Sequence, residues 1–336
     1  MQLRQLGQSE LKVSPVAMGC WPIAGITSIN VTEQDSLATL QAAADAGINF
    51  FDTAYSYGYD GESERLIGRA LGSRRDEIVI ATKCGQHWGP GRERVRDGSP
   101  ERIRQDCEES LRRLGTDRID LYYLHAPDPD VPVEESAGAL LELKNSGKVR
   151  AVGVSNFHAI EQYEAFHAVC PITANQPHYN MLQREIEEDR LPWCRDHNVA
   201  VCVYWPLMKG FLAGKLPRDH KWDPKDGRQK YPVFQGEEWT KTHDFLDRLR
   251  PIAERAGRTL AQLAIAWVLS RGEHVHAIPG THSLAHLEEN FAARDLAFPD
   301  DILTAAGNLV NQATVSGHRY PDAMRKTIDT EEFALA

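Results

Sequence analysis

The feature that most constrains this fold is a regular alternation between short apolar runs and longer amphipathic segments. Eight apolar runs, rich in β-branched residues, are typical of strands: residues 16–20, 48–52, 77–83, 119–125, 149–155, 172–176, 199–204 and 275–280. Helical patterns lie between them, including residues 33–46, 100–114, 133–146 and 259–270. Apolar strands separated by helices indicate a parallel sheet buried on both faces. Eight such units predict an α/β fold, a (β/α)8 barrel of the TIM type, with all 336 residues in one domain.

Three segments interrupt or flank this alternation. Residues 3–13, around Gly7, predict a β-hairpin that plugs the bottom of the barrel. Residues 217–239 follow the seventh predicted strand and are dense in Pro, Gly and charged residues, so we expect a long loop on the top face, where such loops are usually functional. We expect the tail after Pro299 to pack over the barrel.

Charge and composition narrow the class of partner. The chain has 38 basic and 48 acidic residues, and its net charge of −10 disfavours nucleic acid and anionic membranes as partners. Its longest nearly unbroken apolar stretch, residues 199–208, is too short to span a bilayer, and its start lacks the features of a signal peptide. Six cysteines without a C-x-x-C pair predict core residues. We therefore expect a cytoplasmic, metal-independent protein that acts on a small molecule, and the oligomeric state stays open.

Ionisable side chains end three consecutive predicted strands. The second strand ends at Asp52, the third at Lys83 and the fourth at His125, and Tyr55 and Tyr57 follow the second strand. In a barrel of this type, the carboxyl ends of the strands form the active face. Singly, each residue could be a surface or capping residue, but three at successive strand ends favour a proton-donating site, because buried charges must be paired. We expect a carboxylate-held ammonium to lower the pKa of a neighbouring phenol from about 10 toward working pH.

The same residues lie within longer motifs that run along the chain in order. They are GINFFDTAYSYG at 47–58, ESE at 62–64, LIG at 66–68, ATK at 81–83, SLRRLG at 110–115, DLYYLH at 120–125 and GKVRAVGVSN at 147–156. Later motifs are YWPL at 204–207, Gly210, GK at 214–215, IPG at 278–280, EN at 289–290, Gly317 and RYP at 319–321. Together they resemble the aldo-keto reductase family over essentially the whole chain, and the last two resemble its bacterial branch.

This resemblance implies a (β/α)8 barrel that transfers a hydride between NADP(H) or NAD(H) and a carbonyl or alcohol substrate, which is an aldehyde, a ketone or an aldose. It implies that Tyr57 is the general acid, that Lys83 and Asp52 adjust its pKa, and that His125 orients the substrate. It implies cofactor contacts from Cys20, Trp21, Asp52, Ser155, Asn156, Gln176, Tyr204, Leu207, Lys209, Gly210, Lys215, Gly280, His282, His286, Glu289 and Asn290. We expect the substrate pocket to be lined by Trp21, Tyr55, His87, Trp88 and His125.

Three departures from the family pattern bear on cofactor and pocket. His282 stands where relatives that prefer NADP often have Arg or Lys, and neutral imidazole is a weaker phosphate partner than a guanidinium group. NADP(H) is our first expectation, and NAD(H) is the alternative. Trp205 stands where Ser is common, so one phosphate contact is lost. Ala126 stands where some relatives have Trp, so one pocket wall is open.

Two other functions stay open at this point. Some barrels of this family serve as non-catalytic, nicotinamide-binding regulatory subunits, and such subunits can keep all four polar residues. Alternatively, a barrel isomerase or aldolase could use Lys83 to form a Schiff base. A Rossmann domain is not predicted because the chain has no G-x-G-x-x-G, and the glycines around residues 210–215 do not have the spacing of a P-loop.

Overall fold

The computed structural model describes residues 2–25 and 28–309, and a closed parallel sheet lies at its centre. The strands are β1 (Arg4–Gln5), β2 (Lys12–Val13), β3 (Met18–Gly19), β4 (Phe50–Asp52), β5 (Val79–Cys84), β6 (Gln86–Trp88), β7 (Arg94–Arg96), β8 (Ile119–Leu124), β9 (Val149–Ser155), β10 (Ala174–Gln176), β11 (Ala200–Tyr204) and β12 (Val275–Ile278). Eight of them pair in the order β12-β11-β10-β9-β8-β5-β4-β3, all parallel. Parallel bridges from Val16 to Ala277 and from Gly19 to Gly280 join the two edge strands. The predicted (β/α)8 barrel is confirmed.

Helices lie between the barrel strands and after the last one. They are α1 (Glu33–Asp45), α2 (Glu62–Leu71), α3 (Pro100–Leu114), α4 (Val133–Asn145), α5 (Ile160–Val169), α6 (Arg190–Asp196), α7 (Gly236–Arg255), α8 (Leu260–Leu269), α9 (Leu284–Ala292) and α10 (Asp300–Gly307). Local sequence explains their ends. In α3, the Ser99 side chain accepts a hydrogen bond from the Arg102 amide, Pro100 is the first helical residue, and Gly115 ends the helix in the left-handed conformation. The four predicted helices are confirmed to within one residue at each end.

The amino-terminal hairpin closes the bottom of the barrel, as predicted. β1 and β2 pair antiparallel, and Leu6 and Leu11 are buried against barrel-interior side chains such as Phe50. Gly7 has a φ of 52°, and a Cβ atom there would lie 2.2 Å from the carbonyl oxygen of Thr173, just before β10. Only glycine fits this position, because both its conformation and its close approach exclude a side chain.

The segment after β11 is less irregular than predicted. It contains short 3-10 helices at Gly227–Lys230 and Pro232–Phe234, and α7 begins at Gly236. The prediction of a loop through residue 239 is therefore wrong at its end, because Glu237 and Glu238 stabilise the first turn of α7. The predictions for the tail, for the motifs at 317–321 and for a single domain of 336 residues extend to residues 310–336, which lie outside the described residues.

All six cysteines are free and buried, which confirms their interpretation as core residues. Within residues 2–25 and 28–309, no helix has the length and apolar character needed to cross a bilayer.

Candidate active site

Polar side chains meet at the carboxyl ends of three neighbouring barrel strands. Asp52 is the last residue of β4, Lys83 lies near the end of β5, and His125 directly follows β8. Tyr57 lies in the loop between β4 and α2. Because β4, β5 and β8 are adjacent and parallel, the sheet brings Asp52, Lys83 and His125 to one place, and the loop after β4 adds Tyr57.

The Lys83 ammonium group is the centre of the site. Its Nζ lies 2.8 and 3.0 Å from the two carboxylate oxygens of Asp52, 2.7 Å from the carbonyl oxygen of Thr53, and 3.3 Å from Oη of Tyr57. Lys83 is 1% exposed and Asp52 is 2% exposed. Because Lys83 donates to the phenolic oxygen, the hydroxyl hydrogen of Tyr57 is left to point elsewhere. Among the described residues it has no acceptor.

Burial and neighbouring charges together determine the protonation states of Lys83, Asp52 and Tyr57. Burial alone would lower the pKa of Lys83, but Asp52 and Tyr57 outweigh it, so this pKa is raised and the lysine stays cationic. Burial raises the pKa of Asp52, and the Lys83 ammonium opposes that rise. Burial also raises the pKa of Tyr57 above its ordinary value; Lys83 opposes the rise and Asp52 adds to it. The predicted net lowering is wrong, because burial disfavours the phenolate and Asp52 offsets much of the Lys83 charge.

His125 is a neutral imidazole beside Tyr57. The residue is 8% exposed, and its ring centre lies 6.0 Å from the Tyr57 ring centre. Burial and the neighbouring cations hold its pKa well below the usual range. A neutral imidazole has one N–H donor, and Nδ1 has no hydrogen-bond partner among the described residues. His125 can therefore donate to a carbonyl oxygen without carrying a charge.

Buried amides fix the neighbouring wall of the site. Gln176 Nε2 donates to Asp52 Oδ2 at 2.7 Å, and Ser155 Oγ donates to the backbone carbonyl of Gln176 at 2.9 Å. Asn156 Nδ2 donates to the backbone carbonyl of His125 at 2.9 Å. These bonds join the ends of β9 and β10 to the ion pair of Lys83 and Asp52, so the polar wall is held by hydrogen bonds within the protein.

The aromatic ring of Tyr204 extends this wall. Its hydroxyl donates to Asn156 Oδ1 at 2.9 Å, and the ring stacks on His178 with 5.2 Å between ring centres and a 13° interplanar angle. Asn156 has a φ of 56°, in the left-handed region that Asn tolerates better than most residues. The predicted cofactor residues Ser155, Asn156, Gln176 and Tyr204 therefore form one connected surface.

The loop after β11 carries a second lysine, in an aromatic setting. Lys209 Nζ lies 3.2 Å from the ring centre of Trp205 and 4.2 Å from that of Tyr231. Burial and neighbouring arginines lower its pKa well below the ordinary value. Trp205, Met208 and Lys209 all have positive φ, at 54°, 46° and 55°. Three non-glycine residues in this conformation indicate a strained loop of the kind found at ligand sites.

Further predicted cofactor residues lie in two turns and around the start of α9. Gly210, with a φ of 87°, donates its amide hydrogen to the carbonyl of Leu207 at 2.9 Å. Lys215 Nζ lies 2.5 Å from Glu289 Oε2. Burial lowers the pKa of His282, and so does the adjacent His286. Burial also lowers the pKa of His286, with a further contribution from Lys215. The two imidazoles are therefore neutral at neutral pH.

Three other predicted cofactor residues are buried or closely packed. Asn290 is buried in α9, and Gly280 is bridged to Gly19 at the seam of the barrel. Cys20 is fully buried, and its thiol donates to the carbonyl of Met18 at 3.4 Å. Contacts of these residues with a cofactor stay predictions.

Two tryptophans border the site on the opposite side. Trp21 packs edge-on against Tyr57, with 4.9 Å between ring centres. Trp88, in β6, donates its indole hydrogen to the backbone carbonyl of Ser56 at 2.9 Å. These two of the predicted substrate-lining residues therefore lie beside the loop that holds the phenol.

Tyr55 does not join them. Its hydroxyl donates to Glu109 of α3 at 2.8 Å, and its ring lies 4.2 Å below the guanidinium carbon of Arg113 on the same helix. The side chain of Tyr55 is therefore held by charged partners on α3, and its contact with substrate stays a prediction.

Sequence reasoning missed Arg94, which stands at the rim. It lies in β7, which pairs with β6 in a hairpin directly after the strand of Lys83, and its guanidinium carbon is 5.4 Å from the Trp21 ring centre and 5.2 Å from that of Trp88. A signal was present: Arg94 and Arg96 alternate in RERVR, as two residues on one face of a strand do.

Comparison with known proteins yields the same fold and family. The model of the aldo/keto reductase family matches residues 15–307. An aldo-keto reductase of Bacillus subtilis is 36% identical over 291 residues, which cover 86% of this chain and 87% of that protein. A glycerol dehydrogenase from Gluconobacter oxydans has a similar structure, with a TM-score of 0.85 and 33% identity over 100% of this chain and 99% of that one. An aldo-keto reductase from Klebsiella pneumoniae, solved in complex with NADPH, gives a TM-score of 0.71 and 30% identity over 92% and 94% of the two chains.

Proposed function

The chain belongs to the aldo/keto reductase family of oxidoreductases, and we propose that it uses NADP(H) to interconvert carbonyl compounds and alcohols. The observation that carries this proposal is the contact of Lys83 with both Asp52 and Tyr57. Lys83 donates to the phenolic oxygen of Tyr57, so the hydroxyl hydrogen of Tyr57 is available to a substrate. Substrates in this proposal are aldehydes, ketones or aldoses.

The proton step follows from these contacts. In carbonyl reduction, negative charge grows on the substrate oxygen, and preorganised donors must already point to the place where it grows. Tyr57 donates its proton to that oxygen, and His125 donates a hydrogen bond to it. The resulting phenolate then lies 3.3 Å from the Lys83 ammonium, which stabilises it. In alcohol oxidation the phenolate takes the proton back.

The residues present fit a nicotinamide dinucleotide. We propose that Ser155, Asn156 and Gln176 hold the carboxamide, and that the nicotinamide ring stacks on Tyr204. The bound nicotinamide supplies or accepts the hydride. Lys209 would hold the pyrophosphate. It makes no ion pair within the described ranges, so a phosphate can compensate its charge without displacing a carboxylate.

NADP(H) is favoured over NAD(H) by the solved relative that binds NADPH. His282 is the residue that argues the other way. Its lowered pKa makes it neutral, so it would offer a 2′-phosphate a hydrogen bond without a full charge. We therefore propose NADP(H) as the cofactor with a modest margin of preference.

The two other functions are less well supported. A Schiff base requires a neutral lysine, but the raised pKa of Lys83 and its bonds to Asp52 keep it cationic. A purely regulatory subunit does not require a phenol with a free hydrogen beside an ammonium group.

The test is turnover by the purified protein. We expect NADPH-dependent reduction of members of a panel of aldehydes, ketones and sugars, with no loss of substrate when nicotinamide is omitted. Fluorescence quenching by NADPH and NADH gives the affinity for each cofactor. Binding of NADPH without turnover of any panel member would favour the regulatory subunit. Trapping of substrate on Lys83 by borohydride without nicotinamide would favour the Schiff base.

A further inference from the structure

The rim of the site is cationic, although the whole chain carries a net charge of −10. Two arginines of β7, Arg94 and Arg96, exert an electrostatic effect on His125 from the rim, in addition to Lys83, which is paired with Asp52 at the base. The positive charge of Arg94 also opposes the rise that burial causes in the pKa of Tyr57, and it adds to the lowering that burial causes in the pKa of Lys209. A cluster of positive groups at the mouth of the site, on a protein whose net charge is negative, indicates that the ligand bound there is anionic.

Arg94 is the cation best placed to meet a substrate. Its guanidinium carbon contacts both the ring of Trp21 and the ring of Trp88, at 5.4 and 5.2 Å from their centres. Trp21 in turn contacts the ring of Tyr57. Arg94 is therefore separated from the proton donor by one aromatic ring, and two flat rings hold its guanidinium group in position.

Arg94 is also without a carboxylate partner. In the described part of the chain it makes no hydrogen bond and no ion pair, and the ionisable groups that act on it most are tyrosines. Other arginines near the barrel mouth are paired: Arg228 lies 2.7 Å from Asp226, and Arg102 lies 2.7 Å from Asp106. Arg94 is an exposed residue, although burial among the neighbouring rings lowers the pKa of its guanidinium group, and no internal acceptor occupies its donors among the described residues.

We propose that Arg94 binds an anionic group of the substrate, so that the preferred substrates are aldehydes or ketones that carry a carboxylate. The carbonyl lies against Tyr57 and His125, and the carboxylate lies at the rim against the guanidinium fork, which matches it with two parallel hydrogen bonds. This proposal rests on the proposed carbonyl reduction and assigns its substrate class.

The test compares 4-carboxybenzaldehyde with its neutral isostere 4-carbamoylbenzaldehyde, at saturating NADPH. We expect the wild-type kcat/KM to favour the carboxylate by about tenfold or more, which is the effect of one charge-assisted hydrogen-bonded contact. Arg94→Met should lower this ratio by about tenfold, chiefly through KM, and Arg94→Lys should restore part of it. The ratio is a readout that a loss of packing or of stability would not change.

Arg92→Met is the matched control, because Arg92 is an exposed arginine of the same hairpin that lies over Tyr59. It should leave the ratio unchanged. The proposal is overturned if the wild type reduces both aldehydes equally well, if Arg94→Met keeps the ratio, or if Arg92→Met lowers it as much. An increase in the NADPH Kd of Arg94→Met without a change in the ratio would instead assign Arg94 to the cofactor. Failure to reduce either aldehyde by an enzyme that turns over other members of the panel would overturn this assignment alone, whereas failure with every member of the panel would overturn the proposed function as well.

Discussion

The site has two regions, a base formed by Asp52, Tyr57, Lys83 and His125, and a rim formed by Arg94, Trp205 and Lys209. Each region contains a lysine, and the two lysines have opposite surroundings. Lys83, at the base, is bound by a carboxylate and a carbonyl, and its pKa is raised. Lys209, at the rim, lies over the rings of Trp205 and Tyr231, and its pKa is lowered. The protein compensates the first charge itself. The charge of Lys209 has no carboxylate partner among the described residues, so a bound ligand can compensate it. The base therefore serves proton transfer and the rim serves binding.

The largest effect should follow from removing the charge at the base. Lys83→Met leaves Asp52 buried and unpaired, so we expect the free energy of unfolding to fall by about 3–5 kcal/mol. Loss of the ammonium also removes the partner of the Tyr57 phenolate, and turnover should fall by about 10²–10⁴-fold. Denaturant unfolding and steady-state NADPH oxidation measure the two effects. A folded variant with wild-type turnover would show that the base does not act as described.

The pH dependence should differ between the two directions of the reaction. Reduction needs Tyr57 in its protonated form. Because the pKa of Tyr57 is raised above its ordinary value, Tyr57 is mostly protonated at every pH below that pKa. Reduction should therefore be nearly flat from about pH 6 to pH 9, and oxidation, which needs the phenolate, should rise about tenfold per pH unit. Single-turnover rates with saturating cofactor measure both. A plateau in the oxidation rate near neutral pH would contradict the raised pKa.

A smaller effect should follow from removing the charge at the rim. Lys209→Met loses a phosphate contact but no internal ion pair, so we expect the NADPH Kd to rise by about tenfold while stability changes by less than about 1 kcal/mol. Fluorescence titration and denaturant unfolding test this directly. Wild-type affinity should also weaken as pH rises and Lys209 loses its proton, and the variant should lack that dependence. Equal losses of stability in Lys209→Met and Lys83→Met would remove the distinction between base and rim.

The smallest effect is expected at the far end of the cofactor site. His282→Arg replaces a neutral imidazole by a guanidinium group that can pair with a 2′-phosphate, so the preference for NADPH over NADH should rise several-fold. The ratio of kcat/KM for the two cofactors measures it. An unchanged ratio would show that His282 does not face the 2′ position.

The base of the site could be predicted from sequence much better than the rim. Asp52, Lys83 and His125 sit at or next to the ends of adjacent barrel strands, so the fold alone brings them together. Because the order of the strands is predictable, the proximity of these three residues is predictable as well.

Loop side chains do not have that regularity. Tyr55 and Tyr57 are two residues apart, yet one points to α3 and the other to Lys83. Arg94 depends on a hairpin that folds back over the mouth, which the alternation of strands and helices does not indicate. The direction of the Tyr57 pKa shift was missed for a different reason: it depends on burial and on Asp52 as well as on Lys83.

The central claim is that Tyr57 donates the proton because Lys83 holds its oxygen. The most direct test is a single-turnover measurement of NADPH oxidation by Tyr57→Phe, with Tyr55→Phe as the matched control. We predict that Tyr57→Phe binds NADPH with nearly wild-type affinity and turns over about 10²–10⁴-fold more slowly, while Tyr55→Phe retains wild-type turnover. Wild-type turnover by Tyr57→Phe would contradict the claim.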